Sequence, residues 1–299
     1  MLEKIILPDR RKVGTGWLPP LPDARDYTDK HPSILKILKK MGLKTRIKLP
    51  PKVDLRKWCN EEVPEQGELG ACTAHAAAAI IEYYQNRAYG KDFKASRLFI
   101  YKNSRNLQGV TGDAGSFIRD TMGSLALCGV PPEKYWPYTE KNPDFDKDPT
   151  CFVYAIADNY EALQYFCHDP ITSGLEPKKV LTSVKRYLAL GIPAMFGFYG
   201  YDSFTDTDVE GGIPIPGGEE QATWGHAVAA FGYDDNIKIT NTKYNVETTG
   251  AILFRNSWGN SWGDGGYGWL PYEYILNKKA SDFWSLLNMN WIETEQFGV

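Results

Sequence analysis

The segment Gln66-Gly67-Glu68-Leu69-Gly70-Ala71-Cys72-Thr73-Ala74-His75 runs from a glycine-bearing loop straight into Ala76-Ala77-Ala78-Ala79-Ile80-Ile81. A helix this rich in alanine carries no bulk on any side, so it can pass closely packed through the middle of a lobe. The spacing predicts a helix over 72–88, with Ala74, Ala77, Ala78 and Ile81 on one face. Its first turn carries a cysteine. Partial positive charge on the unpaired N–H groups of a helix start stabilises a thiolate there. Gln66, six residues upstream, could fold its amide back over the sulfur and donate to a developing oxyanion. Downstream, Gly225-His226-Ala227-Val228 and Arg255-Asn256-Ser257-Trp258-Gly259 supply a candidate base and a candidate orienter. Together these residues read as a cysteine nucleophile site.

The rest of the chain divides by pattern. Residues 1–48 read as an appended leader, a Pro/Gly-rich extended piece followed by a short amphipathic helix around Ile34, Leu35, Leu38 and Met41. Further helices are expected at Ser96–Arg105, at Ser116–Leu127 ending on Cys128-Gly129, and at Pro177–Leu190. Short apolar strands follow at Ile192–Phe198, Ala227–Tyr233, Ala251–Asn256 and Tyr267–Pro271, separated by Gly, Pro and Asp. The class is therefore α+β, with a helical first half, a β-rich second half and the reactive groups in a cleft between them.

Composition narrows the setting. With 42% hydrophobic and 24% charged residues the chain is an ordinary globular one, and no run of eighteen apolar residues suggests a membrane span. The apolar stretch near Met1 is too short for a signal peptide, so cytoplasmic residence, or export without such a signal, is expected. Five cysteines (Cys59, Cys72, Cys128, Cys151, Cys167) are odd in number and few, which favours reduced thiols. Charge is uneven. Residues 1–50 hold twelve Lys/Arg against five Asp/Glu, leaving −10 on the remainder of a chain whose total is −3. A basic leader could dock on an acidic body by long-range attraction. A solvated basic tail, or a membrane-surface helix over Pro32–Lys44, are the alternatives.

The order Cys72, then Gly225-His226-Ala227, then Asn256-Ser257-Trp258-Gly259-Asn260-Ser261-Trp262-Gly263-Asp264-Gly265-Gly266-Tyr267 resembles the papain-like (C1) cysteine peptidases over roughly residues 49–290. Leu49-Pro50-Pro51-Lys52-Val53-Asp54-Leu55-Arg56 is similar to that family's mature start. Gly16-Trp17-Leu18-Pro19-Pro20 and Pro22-Asp23-Ala24-Arg25-Asp26-Tyr27 look like the short leader of a microbial branch. The resemblance implies a two-lobe fold, with a helical lobe mainly over 49–155 and a β-barrel-like lobe mainly over 156–290, within a peptidase domain of 49–299. It also implies a Cys72-His226-Asn256 triad, with Gln66 and the Cys72 backbone N–H as oxyanion donors. Trp258 would lie over the His226–Asn256 hydrogen bond, with Trp262 next in the same aromatic layer. Gly115 and Ser116 lie roughly where the family binds substrate backbone. Secreted members usually carry a cysteine three residues before the nucleophile; Leu69 stands there, so that bridge cannot form.

Each of these residues also has a plainer reading. Cys72 could be a small buried apolar residue, His226 a satisfied core histidine, Asn256 a turn residue, Gln66 a surface glutamine, and both tryptophans simple core. The shared order of all four polar groups favours the chemistry. The acidic Tyr201–Trp224 loop, with Asp202, Asp206, Asp208, Glu210, Glu219 and Glu220, reads as a solvated loop, or as a cleft rim favouring basic side chains. His75 and the Cys167-His168 pair lack companions at metal spacing, so no metal and no cofactor are expected.

The expected function is thiol-dependent hydrolysis of peptide bonds in a peptide or protein substrate, as an endopeptidase kept as a zymogen by the leader, its intramolecular partner. A related acyl transferase or exopeptidase, with Met289–Val299 capping the cleft, and a non-catalytic binding module of the same fold are the rivals. No nucleic acid is expected, and a basic leader binding one remains a weaker alternative.

Overall fold

The computed structural model describes residues 3–40, 47–90 and 93–289. The chain opens with a hairpin, β1 (Lys4–Ile6) and β2 (Lys12–Gly14), and a short helix α1 (Pro32–Lys40). Strand β3 (Lys52–Asp54) follows, then the helices α2 (Cys72–Tyr89), α3 (Arg97–Gln108), α4 (Ile118–Cys128) and α5 (Cys151–Ala157). The second half holds β4 (Ala162–Cys167), α6 (Pro177–Ala189), β5 (Ala194–Gly200), β6 (Trp224–Asn241), β7 (Val246–Arg255), β8 (Tyr267–Pro271), α7 (Tyr272–Leu276) and β9 (Ala280–Met289). The strands pair in the order β4-β9-β5-β6-β7-β8, with β3 on β6. Among the described residues nothing joins β4 to β8, so the expected barrel is an antiparallel sheet that does not close.

Helix α2 is buried at every residue from Cys72 to Gln85, and it packs on β6 and β5. Alanine makes this possible, because no side needs room. The helix stops at Gly90, whose left-handed backbone returns its N–H to the Asn86 carbonyl. Helix α3 begins one residue later than expected because Ser96 is its cap, the hydroxyl accepting the Phe99 N–H at 3.2 Å. Helix α4 also starts late, at Ile118. Ser116 is unavailable to it, since its N–H donates to the Gly16 carbonyl (2.9 Å) and its carbonyl accepts the Leu18 N–H (3.2 Å).

Strand β6 runs past the expected end at Tyr233. Asp234-Asp235-Asn236 reads as a turn, but the chain carries it as a bulge and resumes pairing with β7 at Lys238. Strands β4 and β9 were not anticipated as strands. They hold one edge of the sheet, where β9 pairs with both β4 and β5.

The leader is seated on the body rather than solvated. Ile5, Leu7, Val13 and Trp17 belong to the same buried cluster as α2 and the sheet. Ile34 and Leu38 of α1 join a smaller cluster with Phe166, Tyr187, Ile192 and Leu287. Ion pairs run in both directions. Lys4 meets Glu68 and Arg11 meets Glu65 at 2.7 Å each, while leader Asp26 and Asp29 pair with Arg119 and Arg186 of the body. Net charge asymmetry alone therefore does not describe the docking. Met41, Lys44 and Arg46 lie outside the described residues, as does most of the expected C-terminal cap, past Met289. Among the described residues no helix is long and apolar enough to cross a membrane.

Candidate active site

Cys72 is the first residue of α2, and among the described residues no side chain caps that helix start. The free N–H groups of the first turn therefore face the sulfur's surroundings. His226 lies near the start of β6, paired opposite Phe198 of β5. The next peptide N–H, from Ala227, donates to Cys72 Sγ at 3.4 Å, so the sheet's backbone sets the sulfur beside the imidazole's strand. Asn256 follows β7, its N–H donating to the Gly266 carbonyl across the Asn256–Tyr267 loop. His226 Nε2 lies 2.8 Å from Asn256 Oδ1. The Ser257 N–H also donates to that oxygen at 2.8 Å, which fixes it as an acceptor and assigns the proton to Nε2. Nδ1 has no partner among the described residues and is left as the free lone pair.

Trp258 stacks on the imidazole, with ring centroids 4.6 Å apart and an interplanar angle of 26°. Trp262 stands edge-on to Trp258 at 5.1 Å. Trp258 is fully buried between the imidazole and Trp262, which is itself only partly buried.

Gln66 is fixed from three directions. Its backbone N–H donates to the Ser257 carbonyl at 2.8 Å, its Oε1 accepts the Ser257 hydroxyl, and its carbonyl accepts the Tyr138 hydroxyl at 2.7 Å. Nε2 is thereby turned toward the Leu69 carbonyl (2.8 Å) and the leader's Gly14 carbonyl (2.9 Å). No role at the site was read from sequence for the anchors Ser257 and Tyr138, although Ser257 lies inside the Asn256–Tyr267 motif.

The site is closed. Cys72, His226 and Gln66 have no exposed surface and Asn256 retains 5%. The cover is the leader. Gly14 and Gly16 pass so near the Leu69 and Gly70 carbonyls that a Cβ on either would overlap them. Gly115 and Ser116 lie alongside, Ser116 pairing in parallel with Trp17. Arg11 reaches over to donate to the Trp258 carbonyl at 2.8 Å.

Burial acts against the expected ionisation. Burial pushes the Cys72 thiol up to about 11, against the Ala227 and Gly16 N–H groups that pull it down. Burial pushes His226 down to about 4, against its bond to Asn256. A helix start alone favours the thiolate, whereas burial of both groups favours their neutral forms. The acidic Tyr201–Trp224 loop spends part of its charge internally, with Glu220 on Ser203 and the Gly217 N–H and Asp208 on the Thr240 N–H. His75 is buried edge-on to Tyr138. Among the described residues no group of three or more His, Cys, Asp or Glu is arranged to hold a metal.

Residues 49–279 match the family of papain family cysteine proteases. The chain belongs to that family. Among solved structures it is similar to xylellain, a cysteine protease from Xylella fastidiosa, with 34% identity and a TM-score of 0.71 over 94% of this chain and 98% of that one. An uncharacterized peptidase C1-like protein of Acanthamoeba polyphaga mimivirus is 33% identical over 287 residues, covering 90% of this chain and 85% of the viral protein. The thiol protease aleurain of Arabidopsis thaliana is 28% identical over 211 residues, and the match spans 51% of its length. A papain-family cysteine peptidase acts on peptide or protein substrates, and the lobed α+β fold agrees with that membership.

Proposed function

We propose that this papain-family protein is an endopeptidase in which Cys72 is the nucleophile, His226 the base, Asn256 the orienter and Gln66 an oxyanion donor. The 1–48 leader is proposed to hold it latent as a pro-segment. His226 Nδ1 takes the thiol proton, and Sγ attacks the substrate carbonyl carbon. The carbonyl oxygen gains the charge and is met by Gln66 Nε2 and the Cys72 N–H. Collapse breaks the C–N bond, and the imidazolium gives its proton to the leaving amine. Water, deprotonated by the imidazole, then attacks the thioester, releasing the acid and returning the thiol.

One observation carries the reading: Gln66 Nε2, locked by Ser257, donates to the carbonyl of Gly14, a backbone carbonyl that the leader lays against the Cys72 loop. A leader carbonyl on that amide, together with the Gly16 N–H on Sγ, is what a blocking segment requires. The test is peptide hydrolysis by the full chain and by residues 49–299. The shorter chain should be active and the full chain at least tenfold slower; equal rates would reject the pro-segment. In the shorter chain, Gln66→Ala should lower kcat by about 10²–10³. A Gln66→Ala chain as fast as its parent would remove that residue from the oxyanion site.

A further inference from the structure

Three side chains of the helical half hold the loop that runs from Gln66 to Cys72. The Tyr138 hydroxyl donates to the Gln66 carbonyl at 2.7 Å, Glu140 accepts the Glu68 N–H at 2.6 Å, and Asp113 accepts the Gly70 N–H at 2.9 Å. Asp113 reaches further. The same oxygen, Oδ1, also accepts the Tyr101 hydroxyl at 2.5 Å, and that hydroxyl oxygen accepts the Gly115 N–H at 3.1 Å. One carboxylate oxygen therefore joins the loop that presents Gln66 and Cys72 to the backbone edge at Gly115 and Ser116.

The link has a fixed base. Tyr101 and Arg105 are fully buried on α3, and the guanidinium lies over the Tyr101 ring, 4.1 Å from its centroid. Arg105 pairs with Asp146 at 2.7 Å, and Asp146 accepts the Gly112 N–H at 2.8 Å, so the chain entering the edge is anchored to the same group. Burial, with the Asp113 charge beside it, raises the Tyr101 phenol and keeps it a donor. Neither residues 66–71 nor residues 112–116 include a cysteine, so hydrogen bonds rather than a disulfide make the connection.

The edge matters because a chain lies on it. Ser116 donates its N–H to the Gly16 carbonyl and accepts the Leu18 N–H, while the Gly16 N–H reaches the Cys72 sulfur. A backbone laid on Ser116 thus meets the nucleophile within a residue or two. It meets it correctly only if edge and loop keep their separation, and a misplacement of about 1 Å can cost about 10²-fold in rate. We propose that Asp113 is a positioning residue which, through Gly70 on one side and Tyr101 on the other, fixes the register between the Ser116 edge and the reactive loop. This role rests on the peptidase reading of the site.

Asp113 is exposed, so its replacement should leave the fold intact. For the test the leader is loosened, not removed. Trp17 has no exposed surface and sits in a socket where a Cβ at Gly197 would overlap the indole and Asp282 Oδ2 accepts its N–H at 3.1 Å. The full chain carrying Trp17→Ala serves as the parent, with Gly16→Ala in its place should that chain not fold. Two substrates are compared, a peptide long enough to lie on Ser116 and an ester of a single amino acid, which is too short to reach it. Asp113→Ala should lower kcat/KM for the peptide about thirtyfold or more and for the ester less than threefold. Asp113→Asn, which keeps an oxygen acceptor in place, should restore the peptide rate to within threefold of the parent. Tyr101→Phe should lower the peptide rate at least fivefold, and adding it to Asp113→Ala should change that variant less than twofold, because both act through one link. Equal losses on peptide and ester, or full additivity of the two substitutions, would overturn the proposal by making Asp113 a brace of the loop alone. A parent that cleaves both substrates while Asp113→Ala leaves the peptide rate unchanged overturns it and spares the peptidase reading. A folded parent that cleaves neither substrate fails the peptidase reading, and the positioning role falls with it.

Discussion

The two halves of the leader hold the body by different means. Residues 3–18 enter the cleft through backbone and one indole: Gly14 on Gln66, Gly16 on Cys72 and Ser116, Trp17 in its socket. Residues 21–40 stay outside, held by Arg119 with Asp26, by Arg186 with Asp29, and by Ile34 and Leu38 on a small apolar cluster. The first set touches the reacting groups and depends on shapes that one added methyl would spoil. The second set only fastens. Latency should therefore depend on the front half, while both halves contribute to stability.

Trp17→Ala should break this contrast most sharply. Emptying the socket should cost about 3–5 kcal/mol of stability and raise alkylation of Cys72 at least tenfold, read by intact mass and a thermal midpoint. Leu38→Ala should cost about 2 kcal/mol or more yet leave alkylation within twofold, because Leu38 packs on Phe166, Tyr187, Ile192 and Leu287 in a cluster apart from the one that holds Cys72. A large gain in alkylation from Leu38→Ala would erase the distinction between the halves. Gly16→Ala comes next. Its Cβ cannot coexist with the Gly70 carbonyl, so alkylation should rise severalfold although the side chain is minimal. Arg186→Ala should have the smallest effect, a midpoint shift of a degree or two with alkylation unchanged.

The pH dependence sharpens the same comparison. In the covered chain the thiol is held near 11, so the thiolate fraction, and with it the alkylation rate, should climb about tenfold per pH unit from 6 to 9. In the opened chain, water and the ion pair with His226 should flatten that rise. His226 also contributes to stability with a definite sign. Held near 4, it binds fewer protons than the unfolded chain between about 4 and 6.5, so its share of stability is present above 6.5 and lost on acidification through that window. His226→Gln should lose less of its midpoint between pH 6.5 and 4 than the parent does.

Much of this was legible in the chain because it is local. An alanine-dense helix behind Cys72, the Pro177 helix start and the Tyr267–Pro271 strand all follow from short-range pattern. Gln66, His226 and Asn256 stood out because each lies in a short motif of its own. What escaped depends on contacts distant in sequence. Ser116 looks like a helix start until Gly16 and Leu18 claim its backbone. Trp17 and Asp282 lie 265 residues apart, and Ser-Asp-Phe-Trp carries no sign that its aspartate will face an indole from the leader. The opposing effect of burial on the Cys72 thiol was hidden for the same reason. A helix start is a local property, whereas burial by the leader is not.

The most direct measurement is intact-mass labelling of the full chain and of residues 49–299 with a substoichiometric thiol-directed epoxide at pH 6, the adduct mapped by peptide sequencing. The expected result is one adduct on Cys72 in the shorter chain, lost in His226→Ala, and almost none in the full chain. Equal labelling of both chains would contradict the leader's role. No adduct on Cys72 in either would contradict the nucleophile itself.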